Sequence, residues 1–177
     1  MPTWVALLRA VNLGSHHKVS MPVLREALAG AGFTNVRTYV QSGNVVLDSP
    51  LRSPAKVGAE IGRVVQERFG VDTPVVMRTG AQLRAVLDWN PFPDAAAERP
   101  QLTNVVHLAA APAPAAVEAV LTADVAPDAV AVRGLEMVVA HAVTSQNRRT
   151  AAALKKIGVD GTTRNWRTLT ALVELTR

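Results

Sequence analysis

The sequence predicts an α+β protein made of two similar halves, and three observations lead there. Short Val-rich apolar runs alternate with segments of helical spacing, these elements fall in the order βαββαβ, and the same order returns, more loosely, after about residue 80.

The first strand is expected over Thr3 to Arg9, followed by the polar loop "AVNLGSHHKVS". A helix follows from Met21 to Ala31, where Val23, Leu24, Ala27 and Leu28 share one face. Ser20 suits its N-cap, Pro22 its first turn, and Gly30 and Gly32 its end. Strands at Val36 to Val40 and Val45 to Asp48 flank the tetrad "QSGN". A helix from Pro54 to Phe69 and a strand from Thr73 to Arg78 then complete the ferredoxin-like split unit. The second half opens with a helix from Ala81 to Trp89 and a proline-punctuated loop, "NPFPDAAAERP". Its strand Leu102 to Ala109, helix Pro114 to Leu121 and hairpin about Arg133 and Gly134 repeat the first half. Then come a helix from Thr144 to Ile157, a short extended piece from Gly161 to Arg164 and a closing helix from Asn165 to Leu175. The expectation is two ferredoxin-like βαββαβ halves, residues 1–79 and 80–177, each an antiparallel sheet with helices packed on one face. The second half carries extra helices at its two ends.

With 49% apolar residues among 177, disorder is excluded. Three Trp, three Phe and one Tyr leave the core to Val, Leu, Ala and Ile. Cysteine is absent, which excludes disulfides, thiolate nucleophiles and Cys-based metal sites. The segment "MPTWVALLRAVNLG" reads as a buried first strand rather than a signal peptide, and no run approaches the roughly 18 apolar residues of a membrane span. A soluble cytoplasmic protein is expected.

The net charge of +5 is uneven. Residues 71–144 hold four Arg against eight Asp and Glu, whereas residues 145–177 hold seven Lys and Arg against Asp160 and Glu174. A basic end beside an acidic middle favours an anionic partner, although a basic patch is also what a solvated helix face provides.

Topology places two polar loops together. In a sheet of order 4-1-3-2, strand one lies antiparallel to strand three, so the exit of one and the start of the other share an edge. The loop after Arg9, with Asn12, Ser15, His16, His17 and Lys18, is therefore expected to meet the tetrad Gln41, Ser42, Gly43 and Asn44. The corresponding first loop of the second half, "AAAPAPA", has no polar side chain, so folding alone does not demand polarity there. Convergent amides beside Arg9 can fix a ligand. The structural account is that Gly43 permits positive φ while Ser42 and Asn44 bond their own turn.

Taken together, "ALLRAVNLG", "KVSMPVLREALAGAGFTNVRTYVQSGNVVLDS" and "GTTRNWRTL" resemble the bacterial family catalogued as domain of unknown function 1697. The resemblance implies a two-part α+β fold and no established biochemical activity. Carried over by position, the family's recurrent polar residues are Arg9, Asn12, Lys18, Gln41, Ser42, Gly43, Asn44, Arg164, Asn165 and Trp166. Ala10 stands where a glycine is commoner, and "SHHK" replaces a Gly-rich or Asn-containing turn.

Other constellations are weaker. Adjacent His16 and His17 lack a third ligand at metal spacing, so no structural metal is expected. His107 and His141 lie in apolar strands as core or edge residues. No G-x-S-x-G, G-x-G-x-x-G or P-loop occurs. In "GTTRNWRT", Asn165 or Thr163 can cap the closing helix and Trp166 can be buried. Arg164, expected to be exposed at a helix N-terminus, then opposes the macrodipole and suggests an anion site.

Three functions compete: binding of an anionic small ligand or nucleotide in a cleft formed by the polar loops and the Arg164 turn; a hydrolase or transferase using that cleft, with Lys18 or a histidine moving a proton; and nucleic-acid binding through the sheet face. The missing carboxylate disfavours acid–base catalysis, and the scarcity of aromatics on the central strands disfavours base stacking. No cofactor is specified.

Overall fold

Alternation along β1 (Thr3–Leu8) sends Trp4, Ala6 and Leu8 toward the helices and Val5 and Leu7 to the other face. Both sets are buried. The structure, a computed structural model, describes residues 1–15 and 18–177. His16 and His17, with the expectations attached to them, lie outside the described residues.

After β1 come α1 (Met21–Gly30), β2 (Thr34–Tyr39), β3 (Asn44–Asp48), α2 (Pro54–Phe69) and β4 (Val75–Thr79). Every pairing is antiparallel, in the order β2-β3-β1-β4. Leu24 and Leu28 of α1 and Val57, Ile61 and Val65 of α2 close over Ala6, Leu8, Val45 and Leu47. Burial of each such side chain contributes about 1.5–3 kcal/mol.

The second sheet repeats the plan. α3 (Gly80–Trp89) and α4 (Pro93–Glu98) precede β5 (Thr103–Leu108), α5 (Pro114–Leu121), β6 (Ala129–Arg133), β7 (Glu136–Ala140), α6 (Arg148–Lys155), β8 (Gly161–Asn165) and α7 (Trp166–Leu175). The strand order is β6-β7-β5-β8, again wholly antiparallel. Leu108, Val120, Met137, Val139 and Ile157 form its helix-side core. The protein is thus α+β, with two four-stranded antiparallel sheets in similar halves. The chain divides into two compact units, residues 1–85 with 170–177, and residues 86–169.

Local chemistry moves several expected boundaries. The proline-punctuated loop holds α4, with a proline in its first turn where the missing N–H does no harm. α6 begins at Arg148 rather than near Thr144, because Asn147 Oδ1 accepts from the N–H of Arg149 at 3.0 Å and fixes the start. Ser20 is the N-cap residue of α1, but its side chain makes no capping hydrogen bond. No helix among the described residues is long and apolar enough to cross a membrane.

Candidate functional site

The register Leu7↔Asn44 brings the end of β1 beside the start of β3, so the loop after β1 and the turn before β3 meet at one end of the first sheet. Two contacts join them. Leu8 N–H donates to Gly43 O at 2.8 Å, and Asn12 Nδ2 donates to Gln41 O at 2.7 Å. Asn12 is the organiser of its own loop as well. Its Nδ2 also donates to Val19 O at 2.9 Å, and its Oδ1 accepts from Val19 N–H at 2.8 Å. These contacts engage both ends of the amide with backbone.

Gly43 has a steric reason to be glycine. A Cβ there would lie 2.6 Å from Val11 Cγ2 and 2.7 Å from Leu8 Cβ, and its φ is +74°. Asn44 is fully buried, and its Nδ2 donates to Tyr39 O at 3.1 Å and to Ser42 Oγ at 2.9 Å. Asn12 and Asn44 therefore build the loops. Gln41, Ser42 and Lys18 are exposed, and Lys18 Nζ donates to Gly14 O at 2.6 Å. Arg9 is partly buried; its N–H donates to Pro74 O at 3.0 Å, and its carbonyl accepts from Thr73 Oγ1 at 2.7 Å. Ser15, from the same loop, is exposed.

The backbone of this loop pair is unusual. Ala10, Asn12 and Val40 all have positive φ, at 54°, 56° and 50°. For a β-branched residue such as Val40 this is a genuine outlier, and strain of that kind amounts to about 1–3 kcal/mol per residue. The corresponding loops of the second unit have only Gly134 at positive φ. Nothing in the residue pattern around Val40 predicts a positive φ there.

The second polar feature has a different character from the one expected. Arg164 is a strand residue, 8% exposed, opposite Val105. Its Nη1 donates to Thr162 Oγ1 and to Thr163 O, both at 2.8 Å. Burial pushes the guanidinium down to about 10, which leaves it charged at neutral pH. Arg78 occupies the same register position in the first unit, opposite Val5; it is 4% exposed, and its Nη1 donates to Met77 O at 2.8 Å. Each arginine is followed by a capping residue. Thr79 and Gln82 form a reciprocal capping box, and Asn165 Oδ1 accepts from Thr168 N–H at 2.9 Å. Trp166 is buried at the start of α7. "MRTGAQL" and "TRNWRTL" are thus two copies of one strand-to-helix device, a correspondence readable in the sequence once the halves are aligned. The expected exposed guanidinium at a helix terminus is replaced by a buried one in a strand, because the closing extended piece runs on through Asn165.

Two acid–histidine pairs escaped notice in the sequence because their partners are paired by strand register. His107 Nδ1 lies 2.7 Å from Glu136 Oε2, and the two are directly opposite on β5 and β7. Beyond the β6–β7 ladder, Asp128 Oδ2 accepts from Thr150 Oγ1 at 2.7 Å and lies 2.9 Å from His141 Nδ1, while Oδ1 accepts from Ala142 N–H at 3.0 Å. Burial pushes the Asp128 carboxyl up, but the bonds from Thr150, Ala142 and His141 outweigh it and hold the group below the usual carboxylate range. Among the described residues, no three His, Cys, Asp or Glu side chains gather as a metal site.

The repeated four-stranded sheets and the hydrogen-bonded pair of polar loops define a class of small α+β proteins with an internally duplicated sheet. The chain belongs to the family described as protein of unknown function, DUF1697, whose model matches residues 1–137. A conserved bacterial protein of Streptococcus pneumoniae, SP0830, is similar in structure, with a TM-score of 0.76 at 18% identity over 99% of this chain and 98% of that one. At that identity the likeness concerns the fold. Among curated proteins none matches.

Proposed function

We propose that the protein binds a small anionic ligand or nucleotide at the end of its first sheet, where residues 9–15 and 18–19 meet residues 40–44. The observation that carries this is the positive φ of Val40, together with that of Ala10 and Asn12, in loops that expose the polar Ser15, Lys18, Gln41 and Ser42 beside the apolar Leu13 and Val40. Strain of this kind persists where surrounding structure over-determines it, and it concentrates at ligand clamps. Lys18 supplies the charge and Gln41 and Ser42 directional hydrogen bonds, with Arg9 adding positive potential. No Asp or Glu occurs in either loop, which supports binding of an anion and offers no carboxylate for acid–base chemistry. The side of each sheet turned away from its helices is itself buried at Val5, Leu7, Val46, Val105 and Val138, which weighs against base stacking on an open sheet face. The protein is taken to act in the cytoplasm, in keeping with a chain without cysteine.

The test is thermal shift against nucleotides, sugar phosphates and acidic metabolites, using the wild type, Lys18→Ala and Gln41→Ala. A ligand present at a hundredfold its Kd stabilises by about 2.7 kcal/mol. A shift in the wild type that falls in both variants supports the site. No shift with any anion, or a shift equal in all three proteins, overturns it.

A further inference from the structure

One corner of the sheet is built differently in the two units. In the first, Asp48 lies opposite both Thr3 and Thr34, and its carboxylate accepts from Thr3 Oγ1 at 2.6 Å and from Asn35 Nδ2 at 2.7 Å. The equivalent pairing in the second is Ala140 opposite Thr103 and Ala129. Asp48 and Thr34 of the first corner are thus replaced by Ala140 and Ala129 in the second, where the retained threonine, Thr103, donates its hydroxyl to Arg99 O at 3.2 Å.

The second corner is a cleft of about 360 Å³, large enough for a small metabolite. Ala129, Ala140 and Ala142 line it on the sheet side, and Phe92 and Pro93 on the side of α4. Proline fixes φ, so this wall is rigid before anything binds. The cleft has two charged lining residues, Asp94 and Arg99. Arg99 keeps 40% of its side chain exposed, and its ion pair with the exposed Glu98 is long, at 3.5 Å. The same short segment holds two buried polar atoms without a protein partner among the described residues, Arg99 Nε and Asn90 Oδ1. Buried polar groups are seldom left unpaired, and two within ten residues mark a segment whose bonding is incomplete in the protein alone.

We propose that this cleft is a binding site for a free apolar amino acid. The Arg99 fork meets the carboxylate, Asp94 meets the ammonium, and the alanine floor takes the side chain. With one positive and one negative lining residue, the cleft matches a ligand that is neutral overall and carries both signs. A polyanion would face Asp94 unpaired. The site belongs wholly to the second unit and does not depend on residues 9–15, 18–19 and 40–44.

Saturation-transfer NMR on the full chain tests this with L-leucine and L-phenylalanine, against leucinamide, which lacks the carboxylate, and 4-methylpentanoate, which lacks the ammonium. The proteins are the wild type, Arg99→Gln, Asp94→Asn and Ala129→Leu, with Ala142→Leu replacing Ala129→Leu if circular dichroism shows that variant misfolded. The expected result is binding of both amino acids by the wild type and at least a tenfold loss in Arg99→Gln and in the leucine variant. Asp94→Asn should lose the preference for leucine over 4-methylpentanoate. Absence of transfer to either amino acid overturns the proposal. So does equal binding of leucine and 4-methylpentanoate by the wild type, or binding unchanged in Arg99→Gln and the leucine variant.

Discussion

Asn12 and Gln41 stand 29 positions apart in sequence and are joined by a 2.7 Å hydrogen bond from the Asn12 side-chain amide to the Gln41 carbonyl. That bond ties the exit of the first strand to the turn entering the third. Asn12→Ala should destabilise the protein by about 2–3 kcal/mol, combining lost hydrogen bonds with a β-carbon residue less suited than Asn to positive φ. Asn12→Gly, which relieves the backbone, should recover about 1 kcal/mol of that loss. Urea denaturation of the three proteins measures both quantities.

Gly43 and Gly14 both have positive φ, but their surroundings differ. An added methyl at Gly43 meets Val11 and Leu8, whereas one at Gly14 meets nothing within 4 Å. Gly43→Ala should therefore cost about 2–4 kcal/mol, and Gly14→Ala about 1 kcal/mol. Equal midpoints in denaturant would show that the loops can separate at little cost.

Arg164 is built into the strand, so its loss should act on stability. Arg164→Ala is expected to lower stability by about 3 kcal/mol, through a cavity and the loss of its bond to the buried Thr162 hydroxyl. Arg78→Ala, at the matching position, should behave alike. Scanning calorimetry checks the pair.

The Asp128 carboxyl titrates below its unfolded value. Its stabilising contribution is therefore complete above the ordinary carboxylate value of about 3.9 and is lost as pH falls through the lower folded value. Asp128→Asn should be less stable than the wild type at pH 7, because His141 and Thr150 lose a charged acceptor. The difference should narrow below pH 4, as followed by urea midpoints across the range.

Much of the fold was legible because period and topology are written along the chain. The Val-rich strands, the helices Pro54–Phe69 and Pro114–Leu121, and the two-fold repetition follow from apolar spacing and from Pro and Gly at the ends. α4 was not legible, since six residues crowded by prolines carry too little periodicity. The meeting of Asn12 with the Gln41 turn follows from strand order. That the amide of Asn12 would be engaged by backbone does not, because a polar side chain in a loop reads the same whether it holds a ligand or its own chain. Arg164 shows the same limit. Charge suggests exposure, yet a strand register buried it, and only its copy at Arg78 reveals the architectural role.

The most direct measurement of the anion site is an amide NMR titration with inorganic phosphate on the wild type and on Lys18→Ala. Binding at the end of the first sheet predicts saturable shifts concentrated in residues 9–15, 18–19 and 40–44 of the wild type, with at least tenfold weaker binding in Lys18→Ala. Shifts that fail to saturate, that concentrate elsewhere, or that persist unchanged in Lys18→Ala would contradict it.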